Sequence, residues 1–342
     1  LLSVLLPSKN PQGKSLLSCN ISLIILRGKT FCIVLMFIIY KPMNRVVFSI
    51  YIDIPKSLLD AQPPHHGETE DKNIKAKREF AKHYSWLLER QKEYANNIGA
   101  DYRHYVYDQK YIDLQKWYND NYPYITEYNI VNFYKIHLMY ELAEEYDEVL
   151  YLDLDVLPVT TENIFEKHDI KKGVLIKKNA HGKILDASYL KYKEKKFLEE
   201  NVNSSIRSPW AKWWNSRALC LNYGKPIDDI PVYNTGIVGI NKHWLDKIDY
   251  FSDFDETLEE MRELKEEEIS MWPKFVQAMF GWDNETIWGF KCHMNDVPSV
   301  WLDSNWHMFL DKSTIITEGC KLIHIVNKEF EAVRDWYEKN NI

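Results

Sequence analysis

From residue 46 onward, short β-branched and aromatic runs alternate with long stretches of helical period, and this alternation restricts the chain to few architectures. Residues 46–52 read as a buried strand, 71–98 as a long charged helix, and 102–107 as a second strand of high β-propensity. A helix over 127–146 then feeds directly into EVLYLDLDVLPV, residues 148–159, read as a third strand. Strand, helix, strand, helix, strand predicts an α/β fold with a mostly parallel sheet covered by helices on both faces. Ligands of such sheets sit beyond the carboxyl ends of the strands.

The third strand finishes in two like charges, Asp153 and Asp155. Residues i and i+2 of an extended segment point to one side, so both carboxylates are expected to enter the crevice beyond the strand. Two carboxylates that close repel unless a cation lies against them. Mn²⁺ or Mg²⁺ is the usual resolution. A second Asp-x-Asp, Asp253 and Asp255, sits in the acidic stretch SDFDETLEE and reads as a solvated helix start. Context, not the tripeptide, selects the first pair.

The preceding helix adds an independent signal. At 100° per residue Lys135 falls within the apolar stripe of Tyr128, Val131, Leu138, Met139, Leu142 and Tyr146. Such a lysine either snorkels at the rim of the core or reaches over the sheet toward an anion. Three later segments carry polar residues in apolar settings. VYNTGIVGI (232–240) is strand-like, and its Gly236 would let backbone approach a ligand. GWDNETIW (281–288) places Asp283, Asn284 and Glu285 at a helix start. KLIHIVNK (321–328) is an apolar strand holding His324 and ending at Lys328; a strand histidine is structural unless a metal beside it needs another donor.

In this order, FYKIHLMYEL, YLDLDVLPV, VYNTGIVGINKHW, WDNETIW, LDSNWHM and IHIVNK resemble the retaining GT-A glycosyltransferases of the family 8 type, which include glycogenin and the bacterial lipopolysaccharide galactosyl- and glucosyltransferases. The resemblance spans most of residues 43–330. It implies the GT-A fold, a Rossmann-like sheet with helices on both faces. It also implies Mn²⁺ (or Mg²⁺) held by Asp153, Asp155 and His324, and a nucleotide-diphospho-sugar donor, a UDP-sugar, bound by that ion. Lys135 would contact the donor, Asn234 and Thr235 the sugar, and Asp283 with Asn284 would flank the reacting carbon, Asn standing where the family has Gln; Glu285 is a further acid there. The partners implied are the nucleotide sugar and a saccharide or other hydroxyl acceptor. Two motifs depart from the family. His324 is followed by IVNKEF instead of the family's Gly and Lys-Pro-Trp pattern, which alters how Lys328 meets the diphosphate. The first strand reads SIYIDIP, leaving Asp53 as the nucleotide contact.

Rival readings fare worse. A haloacid-dehalogenase-type phosphatase carries its Asp-x-Asp on the first strand with Thr or Val two residues on, whereas here two strands precede and Leu157 holds that position. A nucleotidyltransferase needs a Gly-rich loop after its first strand, and IYIDIPKSLL has no glycine. A non-catalytic carbohydrate-binding protein of the same fold stays open.

With 45% hydrophobic residues among 342, the chain can bury a large core. The net charge of −7 hides a basic start, since residues 1–42 hold five Lys/Arg and no acid; the acidic remainder is no nucleic-acid binder. Five cysteines without CxxC spacing suggest neither a disulfide scaffold nor a zinc ribbon, so a reducing, cytoplasmic setting is expected. The apolar stretch 21–40 would place Arg27 and Lys29 near mid-bilayer. The working domain is therefore expected to start at Met43, or at Met36, with 1–42 as an extension. The alternatives for that segment are a membrane anchor or a peripheral membrane contact.

Overall fold

The computed structural model describes residues 43–59, 69–179, 209–225, 231–268, 277, 280–311 and 314–340. The expectations about residues 1–42 lie outside the described residues.

Nine strands and nine α-helices are described. The strands are β1 (Arg45–Tyr51), β2 (Asp101–Val106), β3 (Glu148–Leu152), β4 (Val156–Pro158), β5 (Val174–Lys178), β6 (Tyr233–Ile240), β7 (Ser299–Trp301), β8 (Met308–Leu310) and β9 (Leu322–Ile325). The helices are α1 (Lys72–Asn97), α2 (Gln109–Asn121), α3 (Glu127–Glu145), α4 (Ile164–Lys167), α5 (Pro209–Asn222), α6 (Lys242–Ile248), α7 (Phe254–Glu266), α8 (Asn284–Met294) and α9 (Phe330–Lys339). Side-chain caps fix several helix starts: Asp71 accepts from the amides of Asn73 and Ile74, and Asp283 accepts from that of Thr286.

Six strands form the main sheet in the order β2-β1-β3-β6-β5-β7. β1 lies parallel to β2 and β3, and β5 parallel to β7, while β6 runs antiparallel to both of its neighbours. The mostly parallel α/β sheet expected from the alternation is present; the 232–240 strand is the one that reverses.

The period-2 pattern explains the layering. Along β1, Val46, Phe48 and Ile50 join the core beneath α3, while Val47 joins the opposite core with Tyr94 and Ala95 of α1. β3 is buried throughout, so it reads as a continuous apolar run. Each fully buried Leu or Val there contributes about 1.5–3 kcal/mol. A small second sheet, β4-β9-β8, has its own core with Leu87 of α1 and Phe330 and Val333 of α9.

EVLYLDLDVLPV is thus two strands in two sheets. β3 ends at Leu152, the chain turns through Leu154 and Asp155, and β4 begins at Val156. The amide of Val156 donates to the carbonyl of Asp153 at 2.9 Å. The two aspartates are brought together by this turn, not by the i, i+2 geometry of a continuous strand.

Candidate active site

The turn between the sheets sits at the carboxyl end of β3, beside β6 and β9. The carbonyl of Gly236 accepts from the amide of Asp153 at 2.8 Å, and the carbonyl of Asp155 accepts from that of Ile325 at 2.9 Å. From the other side Gln91 of α1, fully buried, donates Nε2 to the carbonyls of Asp153 (2.8 Å) and Val156 (2.9 Å). Three elements therefore fix the backbone that carries the aspartates.

His324 pairs in register with Val156 and so faces the turn. Its Nε2 lies 3.4 Å from Asp155 Oδ2 and 3.7 Å from Asp153 Oδ2. One ligand atom from each of the three residues lies within 4.8 Å of the others, the metal-ligand grouping found among the described residues. Gly236 makes the closeness attainable: a Cβ there would lie 2.4 Å from His324 Cε1 and 2.9 Å from Asp153 Oδ2. The two carboxyl oxygens and the imidazole nitrogen suit Mn²⁺ or Mg²⁺, and the spread of donor atoms leaves room for an ion between them. The residues present fit the metal.

Two lysines flank the cluster. Lys328 binds Asp155 Oδ2 directly, from a left-handed backbone position (φ 60°) that only a few non-glycine residues adopt. Burial would raise the Asp155 carboxyl, but Lys328 and His324 more than offset it and hold the group well below the usual carboxylate range. Lys135 is 2% exposed, with Nζ 3.9 Å from Asp153 Oδ1, 3.3 Å from the Thr235 carbonyl and over the Tyr151 ring. Burial lowers its pKa, against the pull of Asp153 and Glu285. It is a buried cation and does not snorkel.

Thr235 joins this cluster to the start of α8. Its amide and hydroxyl donate to Glu285 Oε1 at 2.8 and 3.3 Å, and Asn284 Nδ2 donates to its Oγ1 at 2.8 Å. Glu285 Oε2 pairs with Lys212 of α5. Burial alone would raise Glu285; Lys212 and the Thr235 amide bring it below its ordinary value. Asp283 caps α8, accepting from the Thr286 amide at 2.9 Å and its hydroxyl at 2.6 Å, and burial raises its pKa. Asn234 accepts from the Gly236 amide at 3.1 Å. β5 and β6 slip register here, from Ile176 opposite Val238 to Lys177 opposite Asn234, so the Thr235–Gly236 backbone is free to turn toward the aspartates.

Asp53 stands apart: its carboxylate binds Lys77 and the Tyr51 hydroxyl at the end of β1. The second Asp-x-Asp is also apart, at the start of α7, where Asp255 accepts from Tyr122. Of the later tryptophans, Trp301 is exposed and Trp306 is core; the side chains of Trp210, Trp213 and Trp214 lie outside the described residues.

Sequence reading missed Gln91, Lys212 and His307. Gln91 belongs to a helix read only as charged. Lys212 lies in SPWAKWWN, a lone lysine among tryptophans with no spacing that marks it. His307 lies in LDSNWHM, and its Nε2 is 3.0 Å from Nδ1 of His324. It is fully buried, and burial pushes its pKa well below the ordinary histidine value.

No protein-family model and no curated protein matches the chain. Among solved structures, it is similar to a glycosyltransferase involved in glycosylation of the major capsid of PBCV-1, at 12% identity over 84% of this chain and 99% of that one, with a TM-score of 0.36. It is similar to mouse xyloside xylosyltransferase 1 (14% identity, 83% and 98%, TM-score 0.39). It is also similar to the galactosyltransferase LgtC in complex with donor and acceptor sugar analogs (12% identity, 82% and 86%, TM-score 0.38). Likenesses this distant reach no further than the α/β architecture, which the strand order of the chain shows by itself.

Proposed function

We propose that the chain is a metal-dependent GT-A glycosyltransferase of the family 8 type. It moves a sugar from a nucleotide-diphospho-sugar, a UDP-sugar by resemblance, to a hydroxyl of a saccharide or other acceptor with retention of configuration. The observation that carries this is the convergence of Asp153, Asp155 and His324 on one point at the end of β3, with Lys135 and Lys328 beside it. A Mn²⁺ or Mg²⁺ ion bound there would supply Lewis-acid stabilisation of a diphosphate leaving group. Lys328, which pairs with Asp155, would add positive charge where the departing phosphate gains negative charge. Lys135 holds the Thr235 carbonyl and so steadies the segment read as the sugar contact.

The engagement of the acids supports same-face attack by the acceptor. Asp283 has both oxygens on Thr286, and Glu285 has one on Thr235 and the other on Lys212. Carboxylates tied in this way are poor nucleophiles, so the acceptor hydroxyl attacks on the side the diphosphate leaves and passes its proton to that phosphate. Asn284 and Glu285 act by fixing Thr235. Asp53, whose carboxylate binds Lys77, is the nucleotide contact on the resemblance alone.

The test is incubation with Mn²⁺ and a panel of sugar nucleotides, with and without saccharide acceptors. Nucleoside diphosphate release and the anomeric configuration of the product by NMR are the readouts. Absence of release with every donor would refute the activity; an inverted product would refute the family type.

A further inference from the structure

We infer that His307 is a positioning residue for the metal centre: its Nε2 accepts the Nδ1–H of His324 and thereby presents the His324 Nε2 lone pair to Asp153 and Asp155. The inference rests on the metal reading of the cluster.

The two imidazole rings lie nearly parallel, at 23° with centroids 5.2 Å apart, and face nitrogen to nitrogen across 3.0 Å. Such a contact holds one proton, carried by one ring and accepted by the other. His324 Nε2 points at the two carboxylates. If that nitrogen ligates a cation it carries no hydrogen, so the neutral His324 ring holds its proton on Nδ1, and His307 Nε2 is the acceptor. His307 then carries its own proton on Nδ1, a buried atom with no hydrogen-bond partner. An apolar core would gain nothing from that arrangement. A metal centre gains the outer-shell acceptor that ligating histidines ordinarily require.

The surroundings remove the alternatives open to His324. Gly236 packs so close to its ring that even a methyl group would overlap Cε1 and Nδ1. Phe309 stands 4.7 Å from the His307 ring and 5.6 Å from that of His324, centroid to centroid, which limits rotation of both. Orientation of His324 is therefore set by a glycine on one side and a single acceptor at the far nitrogen.

The experiment compares Mn²⁺ affinity, by electron paramagnetic resonance, of the full chain with that of His307→Gln and His307→Phe. Glutamine keeps an acceptor near the Nε2 position, and phenylalanine fills the volume without one. Tenfold or greater weakening is expected for His307→Phe, with His307→Gln within about threefold of the parent. A folded His307→Phe that binds Mn²⁺ as the parent does overturns the inference, as does a His307→Gln as weak as His307→Phe. Should either variant fail to fold, ¹⁵N-histidine NMR of the Zn²⁺-loaded parent decides. Protons on Nδ1 of both His324 and His307 are expected, and a bare His324 Nδ1 overturns it. A parent chain that binds no Mn²⁺ or Zn²⁺ removes the metal centre and this inference together, whereas intact binding with unaffected variants removes only the role of His307.

Discussion

Two histidine neighbourhoods, one half-buried and one buried, meet their polar atoms differently. In the core beneath α3, His137 stacks on Phe251 at 3.9 Å and 15°, with Nε2 3.2 Å from the Tyr118 hydroxyl. His104 on β2 is likewise closed, between the hydroxyls of Ser49 and Tyr84 at 2.9 Å each. At the junction of the sheets His324 turns Nε2 toward two carboxyl oxygens at 3.4 and 3.7 Å, beyond ordinary hydrogen-bond length. Core histidines are satisfied by neutral hydroxyls and stay neutral. The junction holds its groups apart around a space that a cation fits. His137 and His104 are half-buried and His324 is buried, and donor geometry is what separates a structural histidine from a candidate ligand.

The largest effect that would break this contrast comes from the charge at the junction. Asp155→Asn keeps the shape and should lower divalent-dependent nucleoside diphosphate release about a thousandfold, equivalent to about 4 kcal/mol. Asp253→Asn should leave it unchanged. The reverse pattern in the same assay would mean that the wrong pair had been chosen.

Lys212 tests whether the acids at α8 are closed in the same sense as the core histidines. Lys212→Met strands the Glu285 carboxylate in a buried setting and should cost about 3 kcal/mol in urea unfolding. A variant as stable as the parent would show that Glu285 is solvated and free to react, and with it the reason for same-face attack would fall.

The core histidines make a pH prediction. Burial pushes both His137 and His104 down to about 4, so the folded protein keeps them neutral while the unfolded chain protonates them below about pH 6.5. Stability they supply is complete above pH 6.5 and falls as the pH drops toward 4. For His137 the loss is about 2–3 kcal/mol after allowing for partial solvent screening. Unfolding midpoints of the parent and His137→Phe, followed from pH 7 to 4.5, should converge as the pH falls; parallel curves would remove His137 from the comparison.

The smallest expected effect is at Gly236. Gly236→Ala inserts a methyl group against His324 and should weaken Mn²⁺ binding about tenfold, roughly 1.4 kcal/mol. Unaltered binding would mean that the ring can move away, and that the clamp on His324 is loose.

Most of the frame was legible because it depends on local periodicity. The strands near 46–52, 102–107 and 232–240 and the helices near 71–98 and 127–146 fall within a residue or two of expectation, since burial on one face or both writes itself into the order of apolar residues. The short strands β5, β7 and β8 escaped: three to five residues carry little period, and β3 and β9, no longer than that, were singled out by the aspartates that follow the one and the histidine inside the other. Asp153 and Asp155 were legible as charges closing an apolar run and His324 as a polar residue inside one, and the structure brings them together.

What the sequence by itself determined is which residues are out of place: a pair of acids after an apolar run, a lysine on an apolar helix face, a histidine inside a strand. Only the tertiary structure decided how they meet. It broke the expected strand at Leu152 into two sheets, buried Lys135 where a rim position was an open alternative, left Asp53 on Lys77, and set Lys212 and His307 behind Glu285 and His324. The physical reason is range. Hydrophobic period acts between neighbours in the chain, whereas a buried charge is settled by partners tens to hundreds of residues away, and only the packed fold brings those within hydrogen-bonding distance.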